Sequence, residues 1–478
     1  MTGPGPAATV EAGGAQTIHG FGASGAWWPN DLVRFSEAAQ DRVADLLFGP
    51  DGLALSVYRY NIGGGGVGVT NPTRAPETFL VEPGTYDWSR DAGGRLFLRR
   101  AAAMGVPALV GFVNSAPAVW TTNARCCGGL LRPGVEADYA GYLADVAAAL
   151  RDREGATLSY VSPMNEPDNS FPEAGQEGMG VPTRQRAGVV LAVAAALARR
   201  APFAKVVGDE SSRILDEFLP KAPVWLGLGG GAAAVAAVAH HLYDFPKDLA
   251  LRAADLVGAA FGKPMWMSEI CCFDSRTGTY GRQYDPTMAG AMPLANLVWQ
   301  SLALAGDCAF HWWVALSKEI GGDPLTDPAS ATQPNEQGWN DGLVYYDPRF
   351  AENGNEQLYV SKRYWVLANF SRYVRPGAVR HEVRGLPADV RILAFRTGDG
   401  WVLVAIDNGA LGGPQREVAV RLPVDPGAAL RADAALETSA ARDLEPVAEP
   451  PLDGTGLLTL TLPAQSVTTV LVSERPAG

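Results

Sequence analysis

Apolar, β-branched runs recur along the first two thirds of the chain, and helical patterns lie between several of them. The runs predict eight strands: Ile18–Ser24, Leu55–Ile62, Ala108–Asn114, Leu158–Glu166, Lys205–Glu210, Ala236–Tyr243, Pro264–Ile270 and Cys308–Leu316. The 3.6-residue apolar spacing of amphipathic helices follows in five segments: Gly94–Met104, Glu136–Arg151, Arg184–Arg200, Leu249–Phe261 and Met288–Ala305. This alternation predicts an enlarged (β/α)8 (TIM) barrel, an α/β fold that carries active-site groups at the C-terminal ends of its strands.

The pattern changes after Arg375-Pro376-Gly377 to short alternating strands without a helical pattern. Predicted strands are Val390–Thr397, Trp401–Asp407, Arg416–Leu422, Leu457–Leu462 and Ser466–Ser473. They indicate an accessory antiparallel β-sandwich, which we interpret as a structural companion to the barrel. The alternating stretch Thr9–Ile18 is expected to pair with it. The predicted domains are therefore a catalytic barrel at 19–374 and a sandwich at 375–478, joined by N-terminal strand residues 8–18.

Composition and charge narrow the class of protein. Apolar residues make up 47% of the chain and charged residues 19%, which excludes global disorder. A net charge of -12 repels phosphate backbones, so we expect no nucleic-acid partner. The apolar runs are too short for a membrane span. Met1–Ala8 lacks the features of a secretory signal, so the protein either stays in the cytoplasm or has lost a signal. Compartment and oligomeric state stay open.

The five cysteines are two adjacent pairs, Cys126-Cys127 and Cys271-Cys272, and a single Cys308. This odd total fits neither a disulfide framework nor a zinc site with separated CxxC arms. We favour free thiols in loops or in the core. A disulfide within a pair, or between the two loops, remains open.

Two glutamates follow predicted strands at positions where a barrel carries its chemistry. Strand four runs into Asn165-Glu166-Pro167, and strand seven into Ser268-Glu269. A carboxylate pair about 5–5.5 Å apart cleaves a glycosidic bond with retention of configuration, without metal or cofactor. Either glutamate alone could equally be a turn or surface residue. The hypothesis of a catalytic pair therefore depends on the placement of both glutamates after strands four and seven.

Motifs across nearly the whole chain resemble glycoside hydrolase family 30, of the clan (clan A) with glutamates on strands four and seven of the barrel. The matching segments are Gly20–Trp28, Arg59–Gly64, Asn114–Pro117, Ser371–Gly377 and Leu462–Thr469. The resemblance implies that Glu166 is the acid/base and Glu269 the nucleophile.

Within that family, Ala26-Trp27-Trp28, Arg59-Tyr60-Asn61 and Gly175-Gln176-Glu177-Gly178 most resemble the endo-β-1,6-galactanase branch. The expected function is therefore a retaining glycosidase acting on β-linked galactan. The segment Asn114–Trp120 is less aromatic than in that branch, and Ile270-Cys271-Cys272 stands where an aromatic residue is usual. A β-1,6-glucanase, a glucosylceramidase-like enzyme, an exo-β-galactosidase and a non-catalytic carbohydrate-binding protein are the alternatives.

Other side chains near strand ends gain roles under this interpretation. Asn165 is a candidate donor to the sugar 2-hydroxyl, or else a turn residue. Arg59 is expected to hold Glu269 ionised, because a nearby cation lowers the pKa of a carboxyl. Tyr243 either donates to the nucleophile or fills the core. Asn114, at the end of strand three, is a further substrate-binding candidate.

The adjacent pair His240-His241 does not predict a metal site, because neighbouring residues of a strand point to opposite faces. His241 is expected to contact the sugar and His240 to pack. Aromatic platforms for a sugar ring are expected at Trp313, Trp28 and Trp120, although most tryptophans belong to the core. Asp209-Glu210 is expected to bind hydroxyls, cap a helix or form a solvated pair.

Overall fold

Eight parallel strands form a closed barrel in the computed structural model, which describes residues 7–476. Each strand pairs with its neighbours in chain order, and the eighth returns to the first. The strands are β1 Gly20–Gly25, β2 Val57–Asn61, β3 Ala108–Phe112, β4 Tyr160–Ser162, β5 Lys205–Ser211, β6 Val235–His241, β7 Met265–Glu269 and β8 Asp307–Trp312. The predicted (β/α)8 fold is confirmed, and every predicted barrel strand overlaps an observed one.

Helices surround the barrel between its strands. They are α1 Glu37–Phe48, α2 Ala92–Ala103, α3 Glu136–Glu154, α4 Thr183–Arg200, α5 Leu219–Leu226, α6 Asp248–Phe261, α7 Met288–Leu304 and α8 Lys362–Ser371. Ser36 caps α1 by accepting a hydrogen bond from the Ala39 amide. Gly155 and Gly262 end α3 and α6 at φ 67° and 61°, a conformation that favours glycine. The five predicted helices are present, and α1, α5 and α8 were not predicted.

Shorter elements lie in the connections. The helices are Trp28–Leu32, Pro72–Arg74, Ala118–Trp120, Ile214–Phe218, Gly231–Ala234, Ala329–Thr332 and Phe350–Asn353. The strands are Leu80–Glu82, Thr85–Tyr86, Gly129–Leu130, Met179–Gly180, Phe273–Asp274, Thr279–Tyr280, Leu316–Ser317, Val344–Tyr346 and Leu358–Val360.

Small residues on β1 make room for large side chains inside the barrel. A Cβ atom on Gly22 would lie 2.8 Å from the Val57 Cβ and 2.9 Å from the His311 ring. An apolar cluster fills the interior below His311, and the Trp266 indole closes it against Tyr160 at a ring distance of 4.9 Å. Further along β2 the interior becomes polar at Arg59, which is fully buried. The barrel interior is therefore apolar near the start of the strands and becomes polar toward their C-terminal ends.

The side domain is a nine-stranded sheet that includes the N-terminal strand Ala8–Thr17. Its other strands are β9 Val379–Arg384, β10 Val390–Arg396, β11 Gly400–Asp407, β12 Arg416–Arg421, β13 Ala428–Thr438, β14 Asp443–Val447, β15 Leu457–Leu462 and β16 Ser466–Pro476. The order is β14-β13-β16-β11-β10-β9, then the N-terminal strand, then β12-β15. All pairs are antiparallel except the N-terminal strand with β12.

This sheet folds over on itself around one apolar core, because β11 and β15 contact each other although they are far apart in the strand order. The expected accessory β-sandwich is thereby confirmed. The limits 19–374 and 375–478, with 8–18, stay a prediction.

Helix α8 joins the barrel to the sandwich. The Asn369 amide donates to Thr438 Oγ1 at 2.7 Å, and the Thr469 hydroxyl donates back to the Asn369 side chain at 2.9 Å. Within residues 7–476, no helix is both long and apolar enough to cross a membrane. Most of the segment Met1–Ala8, considered above as a possible signal, lies outside the described residues.

Candidate active site

A cleft of about 470 Å³ opens at the C-terminal ends of the barrel strands. Six of the predicted site residues line it: Asn114, Asn165, Glu166, Tyr243, Glu269 and Trp313. The cleft thus lies where the alternation of strands and helices placed the chemistry.

The two glutamates face each other across the floor of this cleft. Glu269 is the last residue of β7, and Glu166 lies four residues beyond the end of β4. Carboxylate oxygens of the two residues lie within 4.8 Å of each other. Their exposed fractions are only 5% for Glu166 and 4% for Glu269, so both carboxylates are largely removed from bulk water.

Arg59 binds several of the polar groups beneath the cleft. One guanidinium nitrogen donates to Glu269 Oε2 and to Ser24 Oγ, both at 3.0 Å. The other donates to Asn165 Oδ1 at 3.2 Å. The Asn165 amide then donates to Asn114 Oδ1 at 3.0 Å, which fixes both amide side chains. Arg59 itself does not line the cleft, so it positions its partners rather than the substrate.

A third carboxylate, Glu210, lies behind the pair. The His241 ring places Nε2 3.0 Å from Glu210 and Nδ1 3.3 Å from Glu166. Burial alone would lower the pKa of His241, but the three surrounding carboxylates raise it to about 10. Burial opposes ionisation of Glu210, yet Arg59 and His241 lower its pKa to about 2. At neutral pH, His241 is therefore a cation between carboxylates.

Glu269 accepts a hydrogen bond at each oxygen. Tyr243 donates to Oε1 at 3.0 Å, and Arg59 donates to Oε2. Burial and the neighbouring Glu166 raise the pKa of Glu269, whereas His241 and Arg59 lower it. Burial and the nearby carboxylates raise the pKa of Tyr243 far above its usual range, so its hydroxyl stays a donor.

Non-glycine residues in the left-handed backbone region surround the cleft. The φ angles are 69° at Trp27, 43° at Glu166, 65° at Glu210 and 61° at Cys272. Each such residue costs about 1–3 kcal/mol, and residues of this kind cluster at functional sites. The site is therefore held in place by the surrounding fold.

Comparison with known proteins supports one family. Residues 9–219 match the sequence model of O-glycosyl hydrolase family 30, and this segment contains barrel strands β1 to β5 and Glu166. Over that part the chain resembles glycoside hydrolase family 30. It is accordingly a glycosidase, whose substrates are carbohydrates.

Solved structures share the fold of this enzyme over nearly its whole length. A conserved exported protein from Bacteroides fragilis is 22% identical, with a TM-score of 0.80 over 98% of this chain and 100% of that one. The catalytic domain of family 30 xylanase C from Talaromyces cellulolyticus is 23% identical, with a TM-score of 0.75 over 98% and 100%. An endo-β1,6-glucanase is 18% identical, with a TM-score of 0.72 over 97% and 94%. At these identities the likeness concerns the fold.

Three predictions on buried polar residues need correction or refinement. His241 has no exposed surface and binds carboxylates, so its predicted contact with the sugar is wrong. His240 packs as expected and binds Asp307 at 2.9 Å. Asp209 and Glu210 form no solvated pair, because Asp209 is bound by the Arg186 guanidinium at 3.0 Å and both carboxylates are buried.

Two of the three predicted aromatic platforms lie outside the cleft. Trp28 donates to the Ser24 carbonyl and packs on the Phe97 ring, with 1% of its surface exposed. Trp120 packs on Tyr142 and is 3% exposed. Both predictions are wrong, because these indoles pack in the hydrophobic core. Trp313 lines the cleft, and its role as a platform for a sugar ring stays a prediction.

The cysteine pairs behave differently from each other. Cys271 and Cys272 form a disulfide between adjacent residues, which corrects the expectation of free thiols there. Cys126, Cys127 and Cys308 are free and buried, as favoured for these residues. Their thiols do not line the cleft.

One group of described residues has the composition of a metal site, namely Glu166, His241 and Glu269. A histidine whose pKa is raised to about 10 carries protons on both ring nitrogens at neutral pH and offers no lone pair to a metal. The residues therefore fit a charge network better than a metal centre. That the enzyme needs no metal stays a prediction.

Several cleft residues escaped sequence analysis because they lie on long connections: Trp27, Arg74, Phe171, Gln176, Tyr280, Trp339 and Asp341. Trp27 adjoins a predicted platform, and its ring packs edge-on against Trp313 at 4.9 Å. Next to Gln176, the fully buried Glu177 accepts from the amides of Gly64 and Gly66. Burial raises the pKa of Glu177 to about 8, against the effect of these amides.

Proposed function

We propose that this glycosidase retains configuration at the anomeric carbon, with Glu269 as nucleophile and Glu166 as acid/base. The proposal is carried by the separation of the two carboxylates, whose oxygens lie within 4.8 Å of each other. Retaining enzymes hold the carboxyl groups about 5–5.5 Å apart, whereas inverting enzymes need about 6.5–9.5 Å to admit a water. The short separation supports direct attack on the sugar.

The hydrogen bonds support this division of roles. Both oxygens of Glu269 accept from strong donors, Arg59 and Tyr243, which favour its ionised form. Glu166 lacks a contact with Arg59 and receives two longer hydrogen bonds, 3.3 Å at Oε1 from His241 Nδ1 and 3.4 Å at Oε2 from the Asn169 amide. We therefore place the shared proton on Glu166, ready for the leaving oxygen.

The charges balance in both halves of the cycle. In the free enzyme, the ionised Glu269 and Glu210 face the cations Arg59 and His241, while Glu166 is protonated. After transfer of that proton, Glu269 is esterified by the sugar and Glu166 becomes the carboxylate. The cluster is neutral each time, which avoids the cost of a buried net charge. As a carboxylate, Glu166 then activates the water that releases the sugar.

Asn165 is proposed to donate to the sugar 2-hydroxyl. Its amide is oriented by Arg59 on one side and Asn114 on the other, within the cleft. Such a contact strengthens as the ring approaches an oxocarbenium ion. Trp313 is proposed to pack against an apolar sugar face beside it.

We propose β-linked galactan, cleaved internally at β-1,6 linkages, as the substrate. The support is the likeness of the Ala26–Trp28, Arg59–Asn61 and Gly175–Gly178 motifs to the galactanase branch. A second candidate is β-1,6-glucan, which the shared fold with an endo-β1,6-glucanase favours. The two substrates differ in the sugar and share the linkage.

The test is product analysis on de-arabinosylated arabinogalactan, β-1,6-glucan, xylan and aryl β-glycosides. Release of galactose oligomers supports an endo-galactanase, and release of monomer alone contradicts internal cleavage. Retention is read from the anomeric configuration of the first product by NMR. Glu166→Gln and Glu269→Gln should be inactive, and Glu352→Gln, at an exposed position outside the cleft, should be active. An inverted product would overturn the assigned roles.

A further inference from the structure

The disulfide between Cys271 and Cys272 follows the nucleophile Glu269 after a single residue and lines the cleft. Exposed fractions are 2% for Cys271 and 8% for Cys272. Both cysteines line the same cleft as the two catalytic carboxylates. The disulfide therefore borders the space that the reacting sugar occupies.

The backbone holds this disulfide rigidly against the cleft. The Cys272 amide donates to the Asn340 carbonyl at 3.1 Å, and its carbonyl accepts from the Gly281 amide at 2.9 Å. A bond between neighbouring side chains also closes a small ring that includes the peptide between them. The disulfide thus presents a fixed surface of soft, polarisable sulfur without a strong hydrogen-bond donor.

The disulfide also contacts Tyr243, whose hydroxyl donates a hydrogen bond to the nucleophile. Cys271 Sγ lies 3.8 Å from the Tyr243 hydroxyl, and that hydroxyl donates to Glu269 at 3.0 Å. A sugar bound at Glu269 therefore has the tyrosine and the sulfurs on the same side. Apolar sulfur complements the C–H face of a pyranose, as an aromatic ring does.

We propose that the Cys271–Cys272 disulfide is a specificity-determining wall of the sugar-binding cleft. The disulfide contacts the sugar ring that Glu269 attacks. This proposal rests on the proposed function, because it requires Glu269 to be the nucleophile. An alternative role, as a staple of the loop only, predicts a change in stability without a change in substrate binding.

The bond itself is tested first by alkylating the denatured protein without reductant. Three cysteines should react, matching the free thiols Cys126, Cys127 and Cys308, and all five should react after treatment with a dithiol. Reaction of all five without reductant would overturn the proposal.

The role is tested by kinetics on the substrate found in the product analysis. The folded wild type is measured before and after dithiol treatment, beside Cys271→Ala/Cys272→Ala. We expect about a tenfold rise in KM in both cases, the size of losing an apolar contact in a pocket. The double variant should not respond to the dithiol, and Cys308→Ser should respond as wild type does.

An unchanged KM in reduced wild type would overturn the proposal, as would a fall in melting temperature without a kinetic effect. Reduced wild type keeps the test valid if the double variant does not fold. Failure of the proposed function is recognised separately, since Glu269→Gln would then retain activity whatever the state of the disulfide.

Discussion

Glu210→Gln removes one negative charge from the catalytic cluster at nearly constant volume. In the wild type, Glu210 lies 3.0 Å from His241 Nε2 and 3.6 Å from Arg59, and the cluster is neutral in the free enzyme and in the intermediate. With glutamine at this position, a protonated His241 would leave the cluster with one positive charge in excess. The variant therefore changes the proton balance more than the shape of the site.

The sign and size follow from the contacts. Carboxylates raise the pKa of His241 to about 10, so the loss of one of them lowers it. An opposite charge at this range shifts a pKa by about 1–3 units, or about 1.4–4 kcal/mol. The His241 pKa is expected to fall to roughly 7 to 9, and the alkaline limb of kcat/KM to move to lower pH with it.

NMR of isotope-labelled histidine rings measures this pKa directly, because the chain contains only five histidines. The His241 signal is assigned by its loss in a His241→Asn variant. Glu352→Gln is the matched control, since that carboxylate is exposed and is not among the ion-pair partners of His241. An unchanged His241 titration in Glu210→Gln would refute the charge argument, as would a wild-type ring that is neutral at pH 7.

Three further perturbations test other contacts. Tyr243→Phe removes a hydrogen bond to Glu269 worth about 1.5–3 kcal/mol, so kcat/KM should fall about 10- to 150-fold with little change in melting temperature; an unchanged kcat/KM would contradict the role. Trp313→Ala should raise KM. Trp28→Ala should cost about 3–5 kcal/mol of stability and leave the KM of the folded enzyme unchanged. The reverse pattern would show that Trp28, and not Trp313, packs against the sugar. Burial raises the pKa of Glu177 to about 8 from 4.5, so between these values the unfolded state loses a proton that the folded state keeps, and stability falls as pH rises. Glu177→Gln should therefore gain about 5 kcal/mol relative to wild type over that window in denaturant unfolding, and a pH-independent difference would show that Glu177 is not buried as described.

The barrel was predictable because each strand is a buried apolar run, and buried runs stand out from their surroundings in the sequence. Helix α1 was missed, although Ser36 followed by an apolar face at Val43, Leu46 and Leu47 is an N-cap signal. The side strands β9, β13 and β14 were missed because most of their positions are partly or fully exposed and their alternation is interrupted.

The site was predictable where a residue ends a barrel strand or follows it within a few positions. Glu269 and Tyr243 fall there, so barrel geometry alone directs them to the cleft. Trp27 and Trp28 are neighbours of the same residue type, yet Trp27 lines the cleft and Trp28 packs in the core, and the sequence does not signal the positive φ at Trp27. Tyr280 lies on a connection whose path the strand pattern does not determine.

The position of the N-terminal strand has a consequence for synthesis. That strand lies inside the sandwich sheet, where the ring of His381 binds the carbonyl of Glu11 from 370 residues away. A ribosome therefore releases the first strand long before its partners exist, and the whole barrel is made in between. Until β9 and β12 emerge, the strand presents unpaired amides and carbonyls, a template for pairing with other chains. Truncation before the sandwich would make that exposure permanent, so the barrel alone should aggregate where the full chain does not.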